Sequence, residues 1–349
     1  VAQSLNDTAA QYWKEKTMSK YLGRDDAPFD GSLWEKIDKT VAAAARSQLA
    51  GRRLLHVDGP HGLGLKFLPG KEEEVAEGGG VSILASSPVP IANLSTGFRL
   101  PRRDLAASES NGAPLDLSPA AQAAVACARQ EDDLIFQGNK ALGAEGLLTA
   151  KGVQSVKLGD WSGVGVAADD VIKAMTKLDQ TGFHGPYSLA LAPDRFNQLY
   201  RRYQQGNMSE MDHVKQMITE GVIKAPAIQN GGLVIASGRQ YASIALGQDL
   251  LTGFIGPADQ DYEFTVSETV ALMLLCPEAV CVLLDDVTAR LRAINPDILL
   301  EFRQAYIGPA MRKYGNMFRA VDCPNSIGDN RVRTLDVRLM CAETVAHAD

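Results

Sequence analysis

The first strong hydrophobic pattern along the chain has helical spacing. Between residues 33 and 49, apolar side chains recur every three or four positions, which places them on one face of a helix: they are Leu33, Ile37, Val41, Ala44, Ala45 and Leu49. Gly51 stands where a glycine commonly ends a helix. The pattern predicts an amphipathic helix that packs its apolar face on the rest of the protein and ends near Gly51.

A segment poor in apolar residues follows between 59 and 100. Its middle, 71–80, reads KEEEVAEGGG, which offers too few apolar side chains to form a core of its own. Strand-like runs lie on both sides, LLHVD before it and FRL after it. The segment therefore predicts a long β-hairpin with its tip at 71–80, and a hairpin that projects from the body needs a partner surface.

A second helix is predicted from Ser118 to Gly138. Ser118 and Pro119 have the residue types preferred at a helix N-cap and at the first helical position, and Gly138 can end the helix. The stretch between them is rich in alanine, so a neighbouring backbone can approach it closely.

Helical and strand patterns alternate from residue 153 onward. We predict helices at 169–181, 194–203 and 209–220, with a polar turn, QQGN, between the last two. Strands are predicted at YSLAL, LVIAS, YASIAL and FTVSETVALMLL. Residues 285–349 are predicted to form a separate appendage with a helix over 298–306 and a strand, VRTLDVRLM. The fold class is α+β.

Composition and charge exclude several kinds of partner. The 349 residues are 45% hydrophobic and 22% charged, enough for a buried core. There are 42 Asp and Glu against 35 Lys and Arg, a net charge of -7. No overall basic field therefore attracts the chain to nucleic acid or to an anionic membrane, and we expect neither as a partner.

Cysteine usage and the apolar stretches favour a soluble, cytoplasmic protein. The five cysteines include no CxxC pair, and sparse thiols are typical of a reducing compartment. The first residues contain no apolar run of the kind found in signal peptides. The most apolar stretch, 270–284, is interrupted by Pro277 and Glu278.

One motif has the spacing of a dinucleotide-binding turn. Residues 163–168 read GVGVAA, a GxGxxA that precedes a predicted helix. However, residues 157–162 separate it from the strand-like VQSV, and Asp169 and Asp170 stand at the predicted helix N-terminus, where they repel a pyrophosphate. We interpret the motif as a capped loop and predict no cofactor.

Two groups of polar residues are candidates for a catalytic or a metal site. Glu131, Asp132 and Asp133 are consecutive, so they do not face one another on a helix, and we interpret them as a solvated or interfacial face. His56 and His61 flank a turn without a third ligand of suitable spacing, so no metal is predicted. Motifs of nucleophilic hydrolases, P-loops and zinc proteins do not occur. No catalytic residue is predicted.

Several segments, in order, resemble encapsulins, the shell proteins of bacterial nanocompartments. The matching stretches are WEKIDKTVAAAARSQLAGRR with HVDGPHG, PLDLS with EDDLIFQG, GAEGLL, HGPYSLAL, LGQDL and PEAVCVLL. They span about 21–284. MSKY at 18–21 also resembles an ordinary encapsulin start, which makes 1–17 an extension, and 285–349 lies beyond the family's usual end.

The resemblance implies the Johnson fold of tailed-phage major capsid proteins, built from a peripheral domain, an extended loop and an axial domain. Applied to this chain, it implies an N-terminal extension (1–17), the N-terminal helix and start of the peripheral domain (18–58), the extended loop (59–100), the peripheral domain with its spine helix (101–149), the axial domain (150–260), returning peripheral strands (261–284) and a C-terminal extension (285–349).

By resemblance, a multiple of sixty copies assembles into an icosahedral shell around a cargo enzyme. The expected cargo is ferritin-like or a peroxidase, for iron storage or defence against oxidative stress. A cargo peptide is expected to bind a groove on the inner wall that involves Ile37, Val41, Ala45 and His56. The C-terminal extension is expected on the outer face.

The resemblance also implies a pore loop at the five-fold axis. Its expected residues are Gln204, Gln205, Gly206, Asn207, Met208, Glu210, Asp212 and His213. Glu210, Asp212 and His213 are expected to make the pore mouth polar. Some members bind flavin through a tryptophan, but Ile83 stands at the matching place, so flavin is not carried over. The alternatives are a phage or prophage major capsid protein and, less favoured, an enzyme.

Overall fold

The structure is a computed structural model that describes residues 21–70, 72–78, 81–204 and 206–285. The predicted extension 1–17, and the appendage from 286 onward with its predicted helix and strand, lie outside the described residues.

The helices, labelled in chain order, are α1 (Gly31–Gln48), α2 (Gly51–Leu54), α3 (Arg102–Asn111), α4 (Ser118–Gln137), α5 (Val166–Gln180), α6 (Pro193–Gln198) and α7 (Glu210–Met217). Short 3-10 turns occupy Arg24–Asp26, Lys140–Leu142 and Pro277–Ala279. The strands are β1 (His56–Asp58), β2 (Phe67–Leu68), β3 (Glu72–Gly78), β4 (Val81–Ser86), β5 (Val89–Pro90), β6 (Ala92–Pro101), β7 (Gly138–Asn139), β8 (Ala144–Glu145), β9 (Gln154–Lys157), β10 (Tyr187–Leu191), β11 (Gly221–Lys224), β12 (Gly232–Ala236), β13 (Ala242–Leu246), β14 (Leu251–Ala258), β15 (Asp261–Leu274) and β16 (Val280–Leu284).

Two five-stranded sheets organise these elements. In the first sheet, the long strand β15 pairs with β13 and β14 along one side and with β6 along the other, and β1 adds to β13. The second sheet has the order β11-β10-β12-β16-β9. Every residue of its three central strands is buried, as expected for strands covered on both faces.

Sheet membership differs from the predicted division of the chain at residue 260. Strands β13 and β14, expected in the axial segment, belong to the first sheet with β15 and β6. Strand β16, expected among the returning strands of the other domain, lies between β12 and β9 in the second sheet. The sequence boundary at 260 therefore does not separate the two sheets.

Helix α1 confirms the amphipathic pattern. The Asp30 carboxylate caps it by accepting hydrogen bonds from the amides of Ser32 and Leu33 at 2.9 and 3.3 Å. The sequence predicted that this helix ends near Gly51, but it ends at Gln48, and Gly51 begins α2. A Cβ atom at Gly51 would lie 2.8 Å from the Cδ1 atom of Ile135, so the glycine allows α2 to approach α4.

Helix α4 is confirmed as a long alanine-rich helix, but its N-cap differs from the prediction. Leu117 is the N-cap, and Ser118 is already helical, with its amide donating to the Asp116 carboxylate at 2.9 Å. The small buried side chains of α4 pack against the apolar face of α1, together with a stacked pair of rings, Phe98 and Phe264, whose centroids are 5.0 Å apart.

The hairpin predicted between 59 and 100 is present as the antiparallel pair β3 and β4. The run 71–80, expected at its tip, instead supplies most of its first strand, Glu72–Gly78. Within the described chain this pair forms a separate two-stranded sheet. An isolated two-stranded hairpin is marginally stable in water, so this element needs support from another surface.

The last two predicted helices are shorter than expected. The predicted helix 194–203 ends at Gln198, because the carbonyl of Leu199 accepts the amide of Met211 at 2.7 Å and the chain turns there. The helix predicted over 209–220 is α7, which ends at Met217 before β11 begins.

Candidate functional site

The face of α1 that was expected to line a cargo groove belongs to the core. Ile37, Val41 and Ala45 are at most 3% exposed and pack on α4 and on aromatic residues of the first sheet. His56 is exposed on β1. The groove prediction is therefore wrong for the first three residues, because the apolar stripe that suggested a docking surface is covered within the same chain.

An accessible cleft lies instead beside the N-terminus of α1. It has a volume of about 590 Å³ and is bounded by 27–36 on one side and by α3 on the other. Its lining is Ala27, Pro28, Phe29, Asp30, Ser32, Leu33, Lys36, Leu105, Ser108 and Glu109. Apolar side chains and charges of both signs meet there, which suits an amphipathic peptide.

The segment that leads into α1 is held by one arginine. The Arg24 guanidinium makes two hydrogen bonds to the Asp38 carboxylate, at 2.7 and 2.8 Å, and lies 4.5 Å from the centre of the Trp34 ring. Its Nε atom donates to the carbonyl of Thr252 at 2.7 Å. Arg24 thus fixes the wall of the cleft to α1 and to β14.

A buried charge network joins α2, α4 and the first sheet. The Arg52 guanidinium binds the carboxylates of Glu131 at 2.7–3.1 Å, Glu268 at 2.7 Å and Asp249 at 2.6 Å. Glu131 and Glu268 are at most 1% exposed. Of the solvated or interfacial face expected for 131–133, the solvated alternative is wrong for Glu131, because its carboxylate is buried and paired with Arg52 inside the protein.

Asp132 is buried as well and caps α2. Its carboxylate accepts the amides of Ala50, at 2.9 and 3.1 Å, and of Gly51, at 2.8 Å. Burial raises the pKa of Asp132 to about 6, although these amide hydrogen bonds oppose the shift. The consecutive acids of α4 therefore anchor α2 and the network, which is a structural role.

The proton affinities in the network follow from its geometry. Burial, followed by the charge of Glu131, raises the pKa of Glu268 well above its ordinary value. Burial opposes the charge of Arg52, but the hydrogen bonds and charges of Glu131 and Asp249 outweigh it and raise the pKa of Arg52. Glu268 is thus a buried carboxyl that holds a proton at higher pH than an ordinary glutamate does.

We expect Glu268 to make the folded state less stable as pH rises. A carboxyl whose pKa is raised on folding contributes full stability below its unfolded pKa and loses it as pH rises through the folded pKa. Glu268→Gln, which mimics the protonated acid, should therefore reduce the loss of unfolding free energy between pH 5 and pH 9 by at least about 1 kcal/mol, the equivalent of roughly one pKa unit. Denaturant titrations at both pH values measure this difference.

The control for that measurement is Glu263→Gln, which removes a partly exposed carboxyl from the same strand. We expect it to keep the pH dependence of the wild type. If Glu268→Gln also keeps that dependence, the buried carboxyl does not carry the proton assigned to it.

Glu210 closes the GxGxxA loop. It is fully buried, and its Oε1 atom accepts the amides of Gly165, Ala167 and Ala168 at 2.9–3.2 Å, at the N-terminus of α5. The interpretation of this motif as a capped loop is confirmed, with a carboxylate of the same chain at the position a phosphate would take. The expectation that Glu210 makes a pore mouth polar is wrong, because its side chain does not reach solvent.

The helix that follows this loop begins earlier than predicted. Helix α5 starts at Val166, after Gly165 with a φ of 103°, so the acids expected at its N-terminus lie within its first turns. Asp170 is buried, and its Oδ2 atom accepts the indole N–H of Trp161 at 2.9 Å and the amide of Gly159 at 2.7 Å.

The turn between α6 and α7 has a well-bonded base. The Glu210 amide donates to the carbonyl of Arg201 at 2.9 Å, and the Tyr203 hydroxyl lies 2.8 Å from the Nδ1 atom of His213. Ser209 and Asp212 form a capping box at the start of α7. Beyond this base the residues expected in the pore are exposed, namely Gln204, Gly206, Asn207 and Met208; Gln205 lies outside the described residues.

Neither a metal-binding cluster nor a membrane-spanning helix is found within the described ranges. No group of three His, Cys, Asp or Glu side chains in them is arranged to hold a metal ion. None of the helices that the structure describes is long and apolar enough to cross a membrane.

The sequence matches a known protein family over most of the described residues. Residues 18–271 match the sequence model of a family described as encapsulating protein for peroxidase. The chain belongs to this encapsulin family. The resemblance found in the sequence is confirmed, and the match begins at the residue where an ordinary encapsulin start was expected.

Characterised relatives of this encapsulin agree. A type 1 encapsulin shell protein, EncA of Myxococcus xanthus, is 33% identical over 280 residues, which cover 76% of this chain and 97% of the relative. A diheme-cytochrome-encapsulin shell fusion protein of Kuenenia stuttgartiensis is also 33% identical, over 72% of each chain. This encapsulin is accordingly a self-assembling shell protein that encloses cargo.

The fold is confirmed by a solved structure. The virus-like particle of Pyrococcus furiosus superposes with a TM-score of 0.59 at 21% identity, covering 72% of this chain and 99% of that one. The α+β capsid fold expected from the sequence is therefore the fold of this encapsulin.

Proposed function

We propose that a multiple of sixty copies of this encapsulin closes into an icosahedral shell in the cytoplasm, with the hairpin β3–β4 lying on a neighbouring subunit. The observation that carries the proposal is the hairpin itself, which forms a separate two-stranded sheet within the described chain. A neighbouring subunit supplies the surface that such a hairpin needs.

Replacing 71–80 with a short Gly-Ser linker tests this role. We expect smaller or unclosed assemblies in negative-stain images and in size-exclusion chromatography, with circular dichroism close to that of the wild type, because both five-stranded sheets are unaltered. Glu72→Gln, which changes one charge and keeps both strands, is the matched control and should form normal particles. Closed particles of unchanged size from the shortened chain would contradict the proposal.

The proposed cargo is an iron or redox enzyme, either ferritin-like or a peroxidase, for iron storage or defence against oxidative stress. Support comes from the description of the family, from the diheme-cytochrome fusion relative and from a ferritin-like-encapsulin shell fusion protein of Pyrococcus furiosus that is 25% identical over 205 residues. In this proposal the shell is a container, so shells without cargo should show no peroxidase or ferroxidase turnover and should contain no nucleic acid.

The cargo peptide is proposed to bind the cleft between 27–36 and α3. Phe29, Leu33 and Leu105 give the cleft an apolar part beside its polar and charged lining, and this part can accept an apolar side chain. Burial contributes about 1.5 to 3 kcal/mol for each such side chain, and an oligomeric cargo multiplies a modest affinity through avidity.

A bulky side chain in the cleft should prevent cargo from binding inside the shell. We expect Ser108→Trp, which places an indole in the cleft, to abolish co-purification of cargo while particles still form. The control is Ala106→Trp, because Ala106 is exposed on the same helix and does not line the cleft. Full cargo loading in the Ser108 variant would place the docking site elsewhere.

The turn 204–209 is proposed to line a pore at the five-fold axis. Its exposed residues and the well-bonded base below them suit a rim that keeps its shape while small ions and substrates pass. An electron cryomicroscopy map of the particle tests this directly. If the turn lies away from every symmetry axis, the pore proposal fails while the shell proposal stands.

A further inference from the structure

The cleft beside α1 combines a fixed apolar floor with a charged rim. Leu33 and Leu105 are only 4% exposed, so the floor is held by the core. Asp30, Lys36 and Glu109 supply two negative charges and one positive charge at the rim. A volume of about 590 Å³ is within the ordinary range of ligand pockets, so the cleft has room for aromatic side chains to lie against its apolar part.

The described chain begins close to this cleft. The carbonyl of Leu22 accepts the amide of Phe254 at 2.7 Å, and the Phe254 ring is 5.8 Å from the ring of Phe29, which lines the cleft. The bonds of Arg24 to Asp38 hold this start in place. Any segment that precedes Leu22 is therefore tethered beside the cleft.

The preceding residues have the chemistry that such a cleft binds. The family match begins at residue 18, so residues 1–17 are additional to it. Within them, Tyr12 and Trp13 are adjacent and are followed by Lys14, Glu15 and Lys16. Residues that dominate binding energy are enriched in Trp and Tyr, and the two lysines and one glutamate complement a rim with two acids and one lysine.

The tether is long enough for the segment to reach its own cleft. Tyr21 is eight positions after Trp13, and eight extended Cα-to-Cα steps span up to about 26 to 29 Å. The contact path from Leu22 through Phe254 to Phe29 is much shorter.

We propose that segment 12–16 binds in the cleft of its own subunit, with its two aromatic rings on the apolar floor and its lysines and glutamate paired with the rim charges. The cargo peptide is assigned to the same cleft under the proposed function, and on that basis the segment is a built-in competitor of cargo. Cargo that binds through several copies of its peptide displaces it, whereas a single weak peptide does not.

Photo-crosslinking of the full-length protein in assembled particles tests the binding. Trp13→p-benzoylphenylalanine keeps an aromatic ring at the position and reacts with neighbouring C–H bonds on illumination. We expect mass spectrometry to find its crosslinks in peptides that contain 27–36 and 102–111. The same probe at Gln3 should give few crosslinks to these peptides. Crosslinks from position 13 that avoid both peptides overturn the proposal.

Charge reversal at the rim provides a second test in the same particles. Glu109→Lys leaves one negative and two positive charges at the rim and should lower the crosslink yield by about threefold to tenfold, the effect expected when exposed ion pairs are replaced by repulsions. The matched control, Asp104→Lys, makes the same change of charge on the same helix outside the cleft lining. Equal yields from the two variants overturn the recognition proposed here.

The experiment separates this proposal from the proposed function. Negative-stain images show whether particles form, independently of any crosslink. Particles that form without a crosslink to the cleft overturn the binding of segment 12–16 and leave the shell proposal intact. Cargo loading that leaves the crosslink yield unchanged overturns the competition and the shared cleft.

Discussion

Arg52→Met is expected to lower the free energy of unfolding by about 3 to 5 kcal/mol, because it leaves the buried carboxylate of Glu131 without its counter-charge and the buried carboxyl of Glu268 without its hydrogen-bond donor. Glu131 and Glu268 are both within 3.1 Å of the guanidinium and have almost no contact with water. Guanidinium denaturation at one fixed subunit concentration measures the loss, since assembly makes stability depend on concentration.

Two comparisons separate this effect from a general loss of packing. Arg53→Met changes the neighbouring arginine, whose side chain is exposed and donates to the carbonyl of Leu49; we expect it to cost less than about 1 kcal/mol. Combining Arg52→Met with Glu131→Leu and Glu268→Met replaces the whole buried set by apolar groups and should recover most of the loss. A loss no larger for Arg52→Met than for Arg53→Met would contradict the network.

Glu210→Leu is expected to lower the free energy of unfolding by about 2 to 3 kcal/mol, because an acceptor is removed from the buried amides of Ala167 and Ala168 and from the partly buried amide of Gly165. Three amides at the start of α5 donate to its Oε1 atom, and Arg201 lies 3.7 Å from its Oε2 atom. Glu210→Gln keeps an acceptor and loses the charge, so it should cost less. Denaturation measures the stability, and hydrogen exchange should accelerate at Gly165, Ala167 and Ala168.

The matched control is Glu220→Gln, which alters an exposed acid shortly after α7. It should leave both stability and amide exchange unchanged. Unchanged exchange at the start of α5 in the Glu210 variants would show that the carboxylate is not the cap. We also expect the turn 204–209 to shift in the same variants, because Glu210 joins that turn to α5.

Local hydrophobic patterns predicted most helices and strands. They could not show which of these elements bury their apolar faces against each other. The spacing at 33–49 and the alanines of α4 identified two helices, yet only the structure shows that these two faces cover each other. The same stripe suggested a groove because an apolar helix face has the same pattern whether it binds a partner or its own chain.

Buried polar groups were missed for a related reason. Glu131 and Glu210 look like surface acids because acids usually are exposed, and their partners are distant in sequence: Arg52 is 79 residues from Glu131, and Ala167 is 43 residues from Glu210. The sequence segments that resemble encapsulins identified the family, although neither the contacts of Glu131 nor those of Glu210 were predicted. The sequence also could not predict which sheet contains β16, since an apolar strand fits the interior of either sheet.

The position of β16 has a consequence for when a shell can be built. This strand lies between β12 and β9, so the second sheet has a gap until residues 280–284 are available. During synthesis, everything up to β15 leaves the ribosome first, while the neighbours of the missing strand keep unpaired edges. The apolar core that joins both sheets includes Val280, Val282 and Leu284. A nascent subunit therefore completes its fold only near the end of the described chain, which delays its entry into a growing shell and excludes truncated copies.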